Sequence, residues 1–163
     1  MSDSGLWHFI LWIHYLAIAL WTGGILVLAG VAIPAIHASI PSRAIAGDIV
    51  EKILKRLNFI EIVCCLMLII TSFTAFRFIH TNEQWLAYLI LVIVVMGFFT
   101  FYYSFNLMPR LESIKERLPT LDNNSNHAAK SEFDRLHALY IKLMSLNLAL
   151  GLIVLYGSVL LLK

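Results

Sequence analysis

Four long apolar stretches occupy most of the 163-residue chain, at about residues 7–36, 57–79, 84–108 and 136–162. The hydrocarbon of a bilayer is roughly 30 Å thick, and a helix crosses it in about 20 mostly apolar residues at 1.5 Å rise each. Each stretch meets that length. Inside lipid the backbone has to satisfy its own polar groups, which a helix does and an open strand does not. The expected fold is therefore all-α: a polytopic membrane protein whose single domain, residues 1–163, is a four-helix transmembrane bundle. Composition agrees, with 60% hydrophobic and 13% charged residues where soluble domains average about 45–50% and 25%. The first stretch starts close to Met1 with no basic segment before it and no small-residue cleavage pattern after it. It reads as a retained helix, not a signal peptide.

Arg43, Lys52, Lys55 and Arg56 lie between the first two stretches, and Arg110, Lys115, Arg117, Lys130 and Arg135 between the last two. The other side has Arg77 and Lys163. Basic residues collect on the cytoplasmic side, so both termini are expected on the periplasmic side of a bacterial inner membrane, with Trp7, Trp12 and Trp85 in an outer aromatic belt. The net charge of +2 is thus accounted for by topology, and no nucleic-acid partner is implied. The expected partners are the lipid bilayer and either other membrane subunits or further copies of the chain.

Between the first two spans, Ile45, Ile49, Ile53 and Leu57 recur four apart while Arg43, Glu51, Lys52 and Lys55 take the other face. This predicts an amphipathic cytoplasmic segment, lying at the inner headgroups or extending the second helix. Pro109 is expected to end or kink the third helix, with a cytoplasmic loop over 110–133. Within it, Leu111–Leu118 predicts a further turn or two before Pro119, and Thr120–Lys130 a polar loop. Ser131 followed by Asp134 resembles a capping box that opens the fourth helix.

Polar side chains at membrane depth are costly and default to functional hypotheses. His14 lies seven residues inside Trp7, roughly 10 Å along a helix, and is expected to point into the bundle. Ile18, Trp21 and Ile25 share its face, and Gly23 and Gly24 allow a neighbouring backbone or flat ligand to approach. Three roles stay open for it: a helix packer that hydrogen-bonds a neighbour, a ligand of haem or copper, and a proton-handling group. Nearer the inner side, Asn58, Glu61 and Cys65 share one face of the second helix, and Lys142 and Ser145 one face of the fourth. Matched depth makes Glu61 and Lys142 a structural ion pair. His37, Cys65 and His137 lie near the same boundary and form a candidate soft-metal set. Cys64 and Cys65 are adjacent and badly placed to bond each other, so both are expected as free thiols. Tyr102, Tyr103, Phe98, Phe99 and Phe101 read as packing surface toward lipid and neighbouring helices. There is no Walker loop, nucleophile elbow, HExxH or CxxC, and no catalytic residue is assigned.

The order of landmarks, His14 with Trp21-Thr-Gly-Gly24, then Val31-Ala-Ile-Pro34-Ala35, Asn106-Leu-Met-Pro109-Arg110, Phe133-Asp-Arg-Leu-His137 and Asn147, resembles the four-helix family typified by transmembrane protein 205, a bacterial domain of unknown function. More distantly, the first helix is similar to those of CopD-type copper-resistance proteins and HemJ-type protoporphyrinogen oxidases. The latter resemblance implies haem b on His14. The family's lysine on the third helix is replaced here by the run Trp85-Leu-Ala-Tyr88, so a second axial ligand would be His8, His80 or a partner's side chain. A haem or copper site would then draw on His14, His80, Trp21 and Gly24.

Three functional classes follow. The first is a small non-catalytic protein acting as accessory or assembly subunit of a larger membrane complex. The alternatives are a b-type haem redox protein built on His14 and a metal-handling transporter component.

Overall fold

The computed structural model describes residues 3–75, 83–118 and 123–160. Helix α1 (Asp3–Val27) passes through a π-helical turn (Leu28–Ala32) into α2 (Ile33–Ser39). After a break at 40–42 comes α3 (Arg43–Ala75), then α4 (Glu83–Tyr102), a second π turn (Tyr103–Leu107) and α5 (Met108–Arg117), and finally α6 (Asn123–Leu160). Among the described residues four helical stretches are long and apolar enough to cross a membrane. Helix α1 packs on α3 and α6, α3 also on α4, and α4 also on α6. This closes an up-and-down ring of four.

Buried positions recur at steps of three and four on every helix. They run through Ile18, Trp21, Ile25 and Leu28 on α1, and through Leu54, Leu57, Glu61, Cys64, Leu68 and Thr71 on α3. Leu86, Leu89, Ile93, Met96, Thr100 and Tyr103 continue the pattern on α4 and its π turn, as do Tyr140, Met144, Asn147, Val154 and Ser158 on α6. That spacing is the seam of helices packed at shallow angles. Between 28% and 44% of each span's most apolar window is buried within the bundle. The remaining faces carry Phe9, Trp12, Ile70, Phe73, Phe98, Phe105 and Ile153 in exposed positions, where lipid is their solvent.

Each π turn ends two residues before a proline. A proline inside a helix lacks the N–H its ladder position needs, and its ring collides with the carbonyl four residues back. Here Ile33 N–H reaches five residues back to Leu28 O, just before Pro34, and Met108 N–H reaches Tyr103 O, just before Pro109. The widened turn makes room for the ring, and the helix continues. Pro109 therefore does not end its helix; the chain runs on to Arg117.

The segments between spans are more helical than expected. The amphipathic stretch is the uninterrupted beginning of α3, with Ile45 N–H donating to Ser42 Oγ at 3.4 Å and Ala46 N–H to Ser42 O at 3.0 Å. Helix α6 starts at Asn123, so Ser131 lies exposed within it and caps nothing. Ala128, Ala129, Lys130, Glu132 and Arg135 are strong helix formers, and Phe133 and Leu136 anchor them to the core. Residues 76–82, His80 among them, and residues 119–122 lie outside the described residues. At 33 residues, α3 extends about 50 Å, well beyond the hydrocarbon. Its projecting part is tied to α5 by ion pairs, Lys115 to Asp48 and, at 2.8 Å, to Glu51, and Lys55 to Glu112; Lys55 also meets Glu51 of its own helix at 3.3 Å.

Candidate functional site

His14 points into the bundle, as its face with Ile18 and Trp21 implied. Its Nδ1 lies 2.9 Å from Thr71 Oγ1 on α3 and its Nε2 3.0 Å from Ser158 Oγ on α6. One imidazole thus joins three helices. Each hydroxyl also lies within donor reach of its own helix: Thr71 Oγ1 is 2.8 Å from Met67 O and Ser158 Oγ 2.7 Å from Val154 O. This is the usual fallback of hydroxyl side chains in helices. A neutral imidazole has one donor and one acceptor nitrogen. With neutral His14, one hydroxyl therefore donates to the ring and the other accepts from it while donating to its own carbonyl.

The end of α6 is held in the same neighbourhood. Tyr15 Oη donates to Ser158 O at 2.8 Å, and Trp85 Nε1 to Gly157 O at 3.3 Å. Side chains of α1 and α4 thereby hold the last described turn of α6 against the bundle. The cleft beside His14, bounded by Trp7, Tyr15, Ser72, Leu86 and Leu89, offers about 30 Å³, which is room for one or two waters. Trp21 lies two turns further along α1, fully buried, with its Nε1 unpartnered. Gly24 sits where an added Cβ would come 2.8 Å from Leu57, so it permits close packing against α3; nothing approaches Gly23. His14, Trp21 and Gly24 share a face without sharing one cavity.

A second polar cluster fills the bundle farther along. Glu61 is fully buried on α3, and Tyr103 donates its hydroxyl to Glu61 Oε2 at 2.5 Å. Tyr103 Oη is 3.0 Å from Thr100 Oγ1, with either oxygen able to donate. Asn147 Nδ2 on α6 reaches Thr100 Oγ1 at 2.9 Å, Met96 O at 3.2 Å and Tyr103 Oη at 3.3 Å. A turn away, Tyr140 donates to Asn58 Oδ1 at 2.9 Å, and its ring packs edge-on against Tyr103 at 5.1 Å between centroids. Glu61 Oε1 and Asn147 Oδ1 are buried without a partner.

Glu61 therefore faces Tyr103, and the expected pair with Lys142 does not form. Lys142 is exposed, two residues from inward Tyr140 and Met144, and two residues turn a helix by about 200°. Depth matched; azimuth did not. Ser145 is turned outward with it. Tyr103, expected as packing surface toward lipid and neighbouring helices, is on the helix side of that expectation: it is fully buried because it continues the Met96–Thr100 stripe, and it carries a polar contact as well. His37, Cys65 and His137 are not gathered: Cys65 is buried against Gly97, whereas His37 and His137 are exposed, the latter stacked on Phe133. Among the described residues no three His, Cys, Asp or Glu side chains are grouped to hold a metal. Cys64 and Cys65 are free and buried.

Sequence reasoning missed Thr71, Ser158, Thr100 and Asn147 as partners, although each falls on the three-and-four stripe of its helix. Of these groups, Glu61, Thr71, Thr100 and Tyr103 lie within residues 16–118, the segment that carries a family match. No curated protein and no solved structure matches the chain. Residues 16–118 match the family described as a domain of unknown function, DUF4149, and the chain belongs to that family.

Proposed function

We propose that this is a small non-catalytic integral membrane protein that serves as an accessory or assembly subunit of a larger membrane complex. One observation carries the reading: both ring nitrogens of His14 are engaged by hydroxyls of neighbouring helices, so the residue best suited to chemistry is used to join helices. The haem reading is less well supported. An axial ligand needs a free imidazole nitrogen and a porphyrin-sized space, and the adjoining cleft measures about 30 Å³. The partner-facing surface has aromatic material, with Phe98, Phe101 and Phe105 exposed along α4 and its π turn.

The orientation belongs to the same proposal. Arg43, Lys52, Arg56, Arg110 and Arg117 gather at the end of the bundle opposite the start of α1. The positive-inside tendency then supports a bacterial inner membrane with both termini periplasmic. A cysteine placed at residue 124 is expected to react only with reagents reaching the cytoplasmic face.

The test is isolation of the tagged full chain from native membranes in mild detergent, with size, stoichiometry and absorption measured together. A complex holding the chain and other membrane proteins in fixed ratio, without a haem spectrum, is expected. A chain isolated as a free monomer, or one carrying haem that His14→Leu abolishes, overturns the reading.

A further inference from the structure

We propose that Glu61, Tyr103 and Asn147 form a binding site for one monovalent cation, a proton or a sodium-sized ion, in the interior of the bundle. Glu61 and Asn147 are both fully buried. Among the described residues no ion pair reaches Glu61, and Lys142 at similar depth is turned outward. A lone carboxylate in such surroundings is stabilised by neutralisation.

The atoms without partners indicate what neutralises it. Glu61 Oε1 and Asn147 Oδ1 are both enclosed and both lack a donor. Two enclosed acceptors, one of them on a carboxyl, are satisfied by positive charge or by the hydrogens of a protonated group. The donor set contains only oxygens and one ionisable acid. With no group of three His, Cys, Asp or Glu side chains among the described residues, it lacks the charge and the ligand types that divalent and transition metals require. A single positive charge matches it.

The surrounding hydrogen bonds accommodate both the loaded and the unloaded carboxyl. When Glu61 is ionised, Tyr103 donates to Oε2, Thr100 donates to Tyr103, and Asn147 Nδ2 donates to Thr100 and Met96 O, all within the distances observed. When the proton resides on Oε2, Glu61 donates to Tyr103 and Tyr103 to Thr100, so these two bonds reverse while Asn147 Nδ2 still donates to Thr100; a proton on the unpartnered Oε1 instead leaves every observed bond as it is. No side chain has to move. Tyr103 is also the first residue of the second π turn, and such turns recur at functional sites because they re-aim one side chain without breaking the helix.

Infrared difference spectra of the full-length protein in lipid nanodiscs test the site. Two differences are recorded, acid minus alkaline buffer and sodium minus choline chloride at fixed pH, each for wild type and for Glu61→Gln. A carboxyl band present in the wild type and absent from the variant is expected. Its appearance in the pH difference alone assigns a proton, and its appearance in the sodium difference assigns sodium. Glu61→Asp keeps the charge and is expected to shift the same band, which guards against a misfolded Glu61→Gln protein. Wild-type spectra with no carboxyl band altered by either variant, in either difference, overturn the proposal.

Discussion

Tyr103→Phe is expected to be among the most destabilising conservative changes in this chain, and its cost is expected to depend on Glu61. The substitution keeps the ring that packs against Tyr140 and removes one oxygen. Glu61 Oε2 then loses the hydroxyl that donates to it, and Oε1 already has no partner. A buried carboxyl without any donor forfeits a charge-assisted hydrogen bond, typically about 1.5–3 kcal/mol. We therefore expect a loss of about 2–3 kcal/mol. Glu61→Leu removes the acceptor instead and leaves Tyr103 with Thr100 and Asn147, so it is expected to be nearly neutral or stabilising. In that background Tyr103→Phe no longer strands a carboxyl, and its cost is expected to fall below about 1 kcal/mol. Reversible unfolding in mixed detergent micelles, followed by circular dichroism for the wild type, both single variants and the double, gives the coupling energy. Equal cost of Tyr103→Phe in both backgrounds would refute the dependence of Glu61 on Tyr103.

His14→Leu is expected to retain the fold with a loss of about 1–2 kcal/mol, because Thr71 and Ser158 fall back on Met67 O and Val154 O; unfolding by the same assay checks it, and failure to insert or fold contradicts it. Lys115→Ala removes contacts to Asp48 and Glu51 on a partly exposed surface, so a loss of about 1 kcal/mol or less is expected, shrinking as salt is raised. Gly151→Leu is expected to cost about 1–3 kcal/mol or more, since even a Cβ there meets the Thr22 side chain. Gly23→Ala, with nothing within 4 Å of the added carbon, is expected to be neutral or to stabilise by about 0.5–1 kcal/mol; thermal melts of the two variants side by side separate the predictions.

The spans were readable in the sequence because bilayer thickness fixes a length, and length survives without any knowledge of neighbours. The inward direction of His14 was readable as well, since Ile18, Trp21 and Ile25 share its helical face. Pairing across helices was harder. Glu61 and Lys142 match in depth and charge, but contact also requires both to face the seam, and Lys142 lies half a turn from Tyr140 and Met144. The aromatic run around Tyr103 hid a polar contact because four neighbouring rings do face outward. Extending the stripe Leu89, Ile93, Met96, Thr100 by three residues would have placed Tyr103 inside. The start of α6 was misread because Asn and Ser favour caps and turns locally, whereas Phe133 and Leu136 fasten that stretch to the core.

The bond from His14 to Ser158 also sets a clock on biosynthesis. Thr71 follows His14 by 57 residues and Ser158 by 144. At a synthesis rate of about 5–20 residues per second, the first helix waits roughly 3–11 seconds for one nitrogen to find its hydroxyl and roughly 7–29 seconds for the other. During that interval an imidazole with incomplete bonding has entered the membrane, and only the last helix completes it. A nascent chain stalled before α6 is therefore expected to be a substrate for quality control, with His14→Leu prolonging the life of the truncated form and not that of the finished one.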